Sequence, residues 1–569
     1  MPAPASSSSR AFSSQEGSSV PPGPVDVAVL GTGAAGLVAA LAAADSGASV
    51  ALLEKADRVG GTTALSSGVA WIPATSLAAT QGVEDSRQEA LDYLASLSHG
   101  LIRPEMAQTF VDTGDEVVEW LRTHTPLTLR LVPGFPDYHP EHPGGKSRGG
   151  RSLEPELFSF DELPGWSERM VGAPRPMRVT ETPVGGGTGV LPPDIEARRR
   201  ADHIEGLGRA LVGALLRGCL DRGVAPTTGA RAVRLLRQGG RVRGVEVETS
   251  DGMAELQAGS VVLATGGFEY DEELVRAFLR GPMREPAGVP SNTGDGLRMA
   301  MRLGAALAGM REAWWVPVVR MPGERPDGGS NVQLVLRERT LPRSIVVNRS
   351  GRRFTNEAAN YNALGGAFHT FDPSSFDYIN QPCWLIFDEG FVEAYGGFGR
   401  AAGGPAPEWV TRADTLEELA RYVGIEPEAL AGTVDRWNRL VAAGHDDDFG
   451  RGDSAYDGWC GDRSQYPGVR ATLGPIDHGP FYAVELIGSA LGTKGGPLTT
   501  VDGAVLDVDG NVIPGLYAAG NVMAAPTGMV YGGAGGTLGP ALVFGYRAGR
   551  AAAAVSDARR ARLLEGVSS

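Results

Sequence analysis

Apolar and polar positions change period several times along this chain, and each change predicts an element. Residues 25–30 are a short apolar run of strand type. Residues 37–44 read as a helix that Gly47 ends, and 49–53 as a second strand. From 231 to 252 apolar and polar residues alternate as in a hairpin, leading into a buried strand over 260–267. Residues 415–442 carry a helical period. Residues 136–199 have no period and are rich in Pro, Gly and Arg, which predicts an irregular segment covering a site. The first 24 residues, rich in Ser, Ala, Pro and Gly, lack the apolar surface to offset ordering entropy. They contain no apolar signal core, so they read as a disordered tail. The stretch 25–53 is apolar enough to suggest a membrane span, but its glycines and Asp45 fall where a strand–turn–helix needs them. No internal repeat is visible.

The turn after the first strand reads Gly31-x-Gly33-x-x-Gly36, with Ala34 and Ala35 inside it, and Glu54 and Lys55 close the second strand. This predicts a dinucleotide site. Gly31 makes the tight turn, Gly33 admits the pyrophosphate and Gly36 allows close helix–strand packing. The helix N-terminus offers unpaired N–H groups to the phosphates, and Glu54 accepts from the adenosine ribose. The loop Gly60-Gly61-Thr62-Thr63-Ala64-Leu65-Ser66-Ser67-Gly68 follows, its hydroxyls suited to a second phosphate-hugging turn.

Composition narrows the partners. A net charge of −15 without a basic run argues against nucleic acid and anionic membrane surfaces. The three cysteines, Cys219, Cys383 and Cys460, lie far apart, and the eight histidines have no ligand spacing. No metal is expected, and a reduced, cytoplasmic setting fits, peripheral to a membrane at most through substrate or acceptor. No transmembrane segment is expected.

The segments Ala264-Thr265-Gly266-Gly267, Asn292-Thr293-Gly294-Asp295-Gly296 and Gly515-Leu-Tyr-Ala-Ala-Gly520-Asn521 resemble those of large two-dinucleotide-fold flavoproteins. The resemblance implies non-covalent FAD held by both ends of the chain. A helix starting near residues 535–538, with Thr537 and Leu538, points its N-terminus at the isoalloxazine. The layout resembles the succinate dehydrogenase and fumarate reductase flavoprotein superfamily. Dicarboxylate members carry His and Arg near the last glycine cluster. Here that cluster reads Gly528-Met-Val-Tyr531-Gly-Gly-Ala-Gly535-Gly-Thr537-Leu538, with neither. Apolar and phenolic residues suit an uncharged, flat ketone.

Three segments resemble the 3-ketosteroid Δ1-dehydrogenases: Gly134-Phe135-Pro136-Asp137-Tyr138-His139, Ser344–Tyr361, and Tyr531-Gly-Gly-Ala-Gly535. The resemblance implies that the Tyr531 hydroxyl and Gly535 N–H donate to the C3 oxygen. It implies that Tyr361 takes the C2 proton, FAD N5 the C1 hydride, and that Tyr138 favours the Tyr361 phenolate. Phe135, Trp314 and Trp315 suit either a steroid slot or the core, and Asn356 and Glu357 brace their loop. One departure is a lack of proline after Tyr531 until Pro540, which predicts a softer loop and a wider pocket and leaves a Δ4-(5α)-dehydrogenase open. The electron acceptor expected is external and quinone-like.

The fold expected is α/β: a Rossmann-like FAD-binding domain with an inserted α+β catalytic cap. Residues 25–300 form its first part, 301–481 the cap, 482–555 the return, and 556–569 a tail.

Overall fold

The computed structural model describes residues 20–567, with side chains to Val555; of the tail expected over 1–24, residues 1–19 lie outside the described residues. The expected dinucleotide half is present as strand Val25–Leu30, helix Ala34–Asp45 and strand Val50–Leu53. Val25–Leu30 is the centre of a parallel sheet, flanked by Val50–Leu53 on one side and Gly252–Leu263 on the other. The C-terminal strand Val512–Ala518 pairs in parallel beyond Gly252–Leu263. The two ends of the chain therefore lie two strands apart, with their strand ends on one edge. The hairpin Arg231–Gln238/Arg241–Thr249 extends the first half of the long strand Gly252–Leu263 as an antiparallel arm.

Two glycines explain the tightness of the first turn. Gly31 has φ +109°, and a Cβ there would collide with the Ala264 carbonyl. A Cβ on Gly36 would collide with the Gly31 carbonyl. The helix that follows is buried from Ala34 to Ala43, because it is sandwiched by the sheet and the long C-terminal helix Leu538–Val567. That helix presents Gly545 and Gly549 to the Ala35 and Ala39 backbones, which lets the two helices approach closely. Its backbone runs to Val567, past the boundary expected at 555.

The second sheet is antiparallel and joins Ala313–Arg320, Phe481–Thr493, Cys383–Asp388 and Ser344–Asn348. The boundary expected at 482 falls inside one of its strands. Phe481–Thr493 pairs with cap strands over its whole length, and only after Thr493 does the chain return to the cofactor domain. The helix expected over 415–442 is two helices, Leu416–Val423 and Pro427–Ala443. Gly424 at φ +74° ends the first, and Pro427 opens the second. The segment 136–199 is largely irregular, with strand Ser152–Pro155 and helix Pro193–Ala201 embedded in it. No described helix is long and apolar enough to cross a membrane.

Candidate active site

A continuous cavity of about 900 Å³ runs from the first glycine turn to the tyrosine-bearing segments. At one end Gly31, Gly33, Ala34, Ala35, Glu54, Lys55, Gly61, Thr62, Thr63 and Ser67 line it. Ala264, Thr265, Gly266, Asp295, Gly520, Asn521, Gly535, Thr537 and Leu538 complete that wall. Gly36 and Gly68 do not line it: Gly36 packs beneath the turn, and Gly68, at φ +70°, packs on Leu207.

The donor set of this wall fits a flavin dinucleotide. Thr63 Oγ1 accepts the Ala34 N–H at 3.1 Å, drawing the second loop over the helix N-terminus. Thr62 Oγ1 accepts from Val289 N–H at 3.2 Å and from Asn292 Nδ2 at 3.1 Å. With both lone pairs engaged, its own proton is left to donate into the cavity. Thr265 Oγ1 is buried on the same wall without a partner among the described residues. A buried hydroxyl without a partner is costly unless a ligand satisfies it. Glu54 reaches the cavity with its carboxylate partly engaged: Oε2 accepts the Thr32 N–H and hydroxyl, at 3.0 and 2.6 Å, and Oε1 accepts the Ala56 N–H at 3.0 Å. Lys55 donates to Thr293 and Asp295, so it shapes the wall through those residues. Burial by itself would raise the Asp295 carboxyl, but Arg231 and Lys55 hold it below its usual value.

At the other end three tyrosines converge. Tyr138 comes from the irregular segment, Tyr361 from the start of helix Tyr361–Phe368, and Tyr531 from the loop before the last helix. The Tyr138 and Tyr361 hydroxyls lie 2.9 Å apart. The ring centres of Tyr138 and Tyr361 stand 5.1 and 5.4 Å from that of Tyr531. Asn360 caps the helix, accepting the Ala363 N–H at 3.0 Å, and this orients Tyr361 at the first helical position. Asn356 and Glu357 brace the same loop through Asp457 and the Arg353–Asp446–Arg451 cluster. Gly535, at φ +95°, gives its carbonyl to the Trp71 N–H at 2.9 Å. Its own N–H has no acceptor among the described residues, and the residue lines the cavity.

All three hydroxyls are buried, and burial is the largest effect on each. It lifts Tyr138 and Tyr361 well above the ordinary phenol value, and neighbouring phenols add to it. Tyr531 is raised less, because Thr537 and Tyr361 hydrogen bonds oppose the burial. At rest these are neutral phenols, and in a neutral pair either hydroxyl can donate. Tyr138 therefore assists a Tyr361 phenolate only against a desolvation penalty.

The glycine-rich loop after Tyr531 is pinned rather than soft. The Gly532 carbonyl accepts from Tyr138 N–H at 2.9 Å and from the Tyr93 hydroxyl at 2.7 Å. Ser152 Oγ donates to the Ala534 carbonyl at 3.0 Å. The glycines are there because Trp71 packs on them: a Cβ on Gly532 would meet its indole at 2.9 Å, and one on Gly533 would collide with it. Trp71 is itself held by Asp137, whose carboxylate also binds Arg151. Burial pushes Asp137 up to about 6 against the pull of Arg151.

Phe135 lines the cavity and stacks on Trp459 at 5.1 Å. Trp314 meets Tyr531 edge-on at 4.9 Å, whereas Trp315, on the opposite face of its strand, packs on Gly365 and His369. Sequence reasoning missed the apolar wall made by Val179, Val184, Leu207, Val332, Leu334, Leu336 and Leu491. It also missed Tyr456, whose ring lies 4.9 Å from Tyr138.

Residues 26–538 match the FAD binding domain family. The chain is 40% identical to the 4-oxocyclohexanecarboxylate 2-dehydrogenase of Sinomonas cyclohexanicum, over 92% of each chain. It is 37% identical to the 3-oxosteroid 1-dehydrogenase of Mycobacterium tuberculosis strain H37Rv, covering 92% of this chain and 97% of that one. Among solved structures it is similar to the 3-ketosteroid delta1-dehydrogenase of Sterolibacterium denitrificans in complex with 1,4-androstadiene-3,17-dione. The TM-score is 0.84 and the identity 33%, over 93% of this chain and 99% of that one.

Proposed function

The chain belongs to the FAD binding domain family, and from that premise we propose that it is an FAD-dependent 3-ketosteroid Δ1-dehydrogenase. Bound FAD supplies the two-electron acceptor for the hydrogen and electron pair leaving C1. The chain's own residues supply the rest. The observation that carries the reading is the hydroxyl pair of Tyr138 and Tyr361 at 2.9 Å, set in one buried cluster with Tyr531 beside the unpaired Gly535 N–H.

The Tyr531 hydroxyl and the Gly535 N–H hold the C3 oxygen. Donors aimed where charge develops lower the barrier without reorganising. Polarisation of the carbonyl acidifies C2. Tyr361, neutral at rest, first gives up its hydroxyl proton outward through Tyr138, and the resulting phenolate, hydrogen-bonded by the Tyr138 hydroxyl, takes the C2 proton. Loss of a proton from C2 and of a hydrogen with two electrons from C1 leaves a C1–C2 double bond. The apolar wall excludes water and fits a flat, uncharged ring system. The same wall disfavours succinate, and among the described residues no arginine or histidine contacts Tyr531. An external, quinone-like acceptor would take the electrons onward, and the free cysteines suit a reducing, cytoplasmic setting.

A second reading is favoured by the 40% identity to an enzyme named for a small cyclic oxo-acid. Arg175 lines the cavity with no carboxylate partner among the described residues, and it would receive such a substrate's carboxylate. The test is anaerobic addition of four compounds to the yellow protein: a 4-ene-3-ketosteroid, a saturated 3-ketosteroid, 4-oxocyclohexanecarboxylate and succinate. Bleaching by the 4-ene ketone with a 1,4-diene product is expected. Bleaching only by the saturated ketone with a 4-ene product would establish Δ4-(5α) regiochemistry instead. Bleaching only by the oxo-acid would establish the second reading.

A further inference from the structure

Lys494 is the first residue after strand Phe481–Thr493, and its side chain is 1% exposed. Its Nζ donates to the Met529 carbonyl at 2.6 Å and lies 3.3 Å from the Val530 carbonyl. These are the two residues before Tyr531. The ammonium stands 4.1 Å from the Trp314 ring centre and 5.9 Å from that of Tyr531. Trp314 in turn meets Tyr531 edge-on and donates its Nε1–H to Asn521 at 3.0 Å. Beside Lys494 a small void is lined by Gly520, Asn521, Thr537 and Ala541, which also line the cofactor cavity. One layer of residues separates the ammonium from that cavity.

This cation has no carboxylate within ion-pair distance among the described residues. Glu312, the acid that acts on it through space, is paired with Arg280 at 3.2 Å. An uncompensated buried charge destabilises a fold, and burial pulls Lys494 down to about 7 against the opposing effect of Glu312. Holding two carbonyls does not require a charge, since a neutral amide would also donate to them. A charge is useful where negative charge arises during a reaction, and this reaction places it on the C3 oxygen held by Tyr531.

We propose that Lys494 is a positioning residue that fixes the Tyr531 loop and, when protonated, supplies a positive charge behind the wall shared by Tyr531 and the cofactor cavity. The proposal rests on the dehydrogenase reading for its substrate arm and is independent of it for its cofactor arm. Lys494→Gln keeps donors for the carbonyls and removes the charge; Lys494→Met removes both; Lys494→Arg keeps the charge. The test uses the FAD-loaded full chain and two measurements: the midpoint potential of the bound flavin, taken without steroid, and turnover per bound flavin with a 4-ene-3-ketosteroid.

The expected result is a lower potential in the Gln and Met variants by about 30 mV, a tenfold change in a two-electron equilibrium. Their kcat falls by at least a similar factor with KM little changed, and Arg restores both readings. Unchanged potential and kcat in the Gln and Met variants would overturn the assignment. Loss of FAD and of thermal stability in both would make Lys494 a folding element only and would overturn it equally. If the wild type does not turn over the steroid while the Gln variant shifts the potential, the substrate reading fails and the charge assignment stands.

Discussion

The backbone N–H of Tyr138 donates to the carbonyl of Gly532 at 2.9 Å, one residue past Tyr531. The irregular segment and the loop before the last helix are thus tied by main chain, with Tyr93 bridging them. Its hydroxyl donates to the same Gly532 carbonyl and accepts the His139 N–H at 3.1 Å. The spacing of the Tyr138 and Tyr531 rings is therefore fixed by backbone hydrogen bonds as well as by ring packing. A reaction that needs a proton acceptor and an oxyanion donor on one ring of substrate depends on that kind of rigidity.

Tyr531→Phe keeps the ring against Trp314 and removes one hydroxyl. The Gly535 N–H would remain as the other donor to the C3 oxygen. Steady-state kinetics should show kcat reduced by roughly 10²–10³, the effect of losing one oxyanion donor, with FAD content unchanged. A kcat equal to wild type would remove Tyr531 from the oxyanion site.

Gly533→Ala places a methyl group into the Trp71 indole, which Asp137 holds in place. Overpacking of this kind costs about 1–3 kcal/mol, so the urea midpoint should fall while the spectrum of the bound flavin persists. A variant as stable as wild type would mean that Trp71 moves aside freely and that the loop is not pinned.

The pH dependence follows from the direction of the Tyr361 shift. Burial places its proton affinity above that of a free phenol, about 10. The basic form is therefore scarce at neutrality and grows with pH. kcat/KM should rise overall from about pH 6 to 9, less steeply around neutrality where Lys494 loses its charge, and should not level off by pH 9. A plateau maintained from neutrality to pH 9 would assign the proton transfer to a different group.

Val184→Phe narrows the apolar wall on the side of the irregular segment. It should raise KM for a four-ring ketone and leave a single-ring ketone nearly unaffected. Equal effects on both substrates would place the ring system elsewhere in the cavity.

Much of this arrangement is legible in the sequence where local chemistry and tertiary structure agree. Gly31 and Gly36 announce their turn because no side chain fits there, and the Ala-rich helix announces its burial by composition. The three tyrosine segments were visible only through resemblance, since nothing in the local pattern around Tyr138 distinguishes it from a core ring. The apolar wall was not legible. Val179, Leu207, Val332 and Leu491 come from four segments that only the tertiary fold brings together. Lys494 escaped because a single lysine after a strand looks like an exposed end, and its burial depends on Trp314 and on the loop before Tyr531. The softness expected of the glycine loop was wrong for a physical reason: its glycines make room for Trp71 rather than for motion.

The central claim is that Tyr361 removes the C2 proton. Its most direct test is rapid-mixing measurement of flavin bleaching by a saturating 4-ene-3-ketosteroid under anaerobic conditions, comparing wild type with Tyr361→Phe. The rate in the variant should be lower by a factor of about 10²–10⁴, the usual contribution of a positioned general base, with FAD still bound and the steroid still binding. Bleaching at the wild-type rate in Tyr361→Phe would contradict the claim.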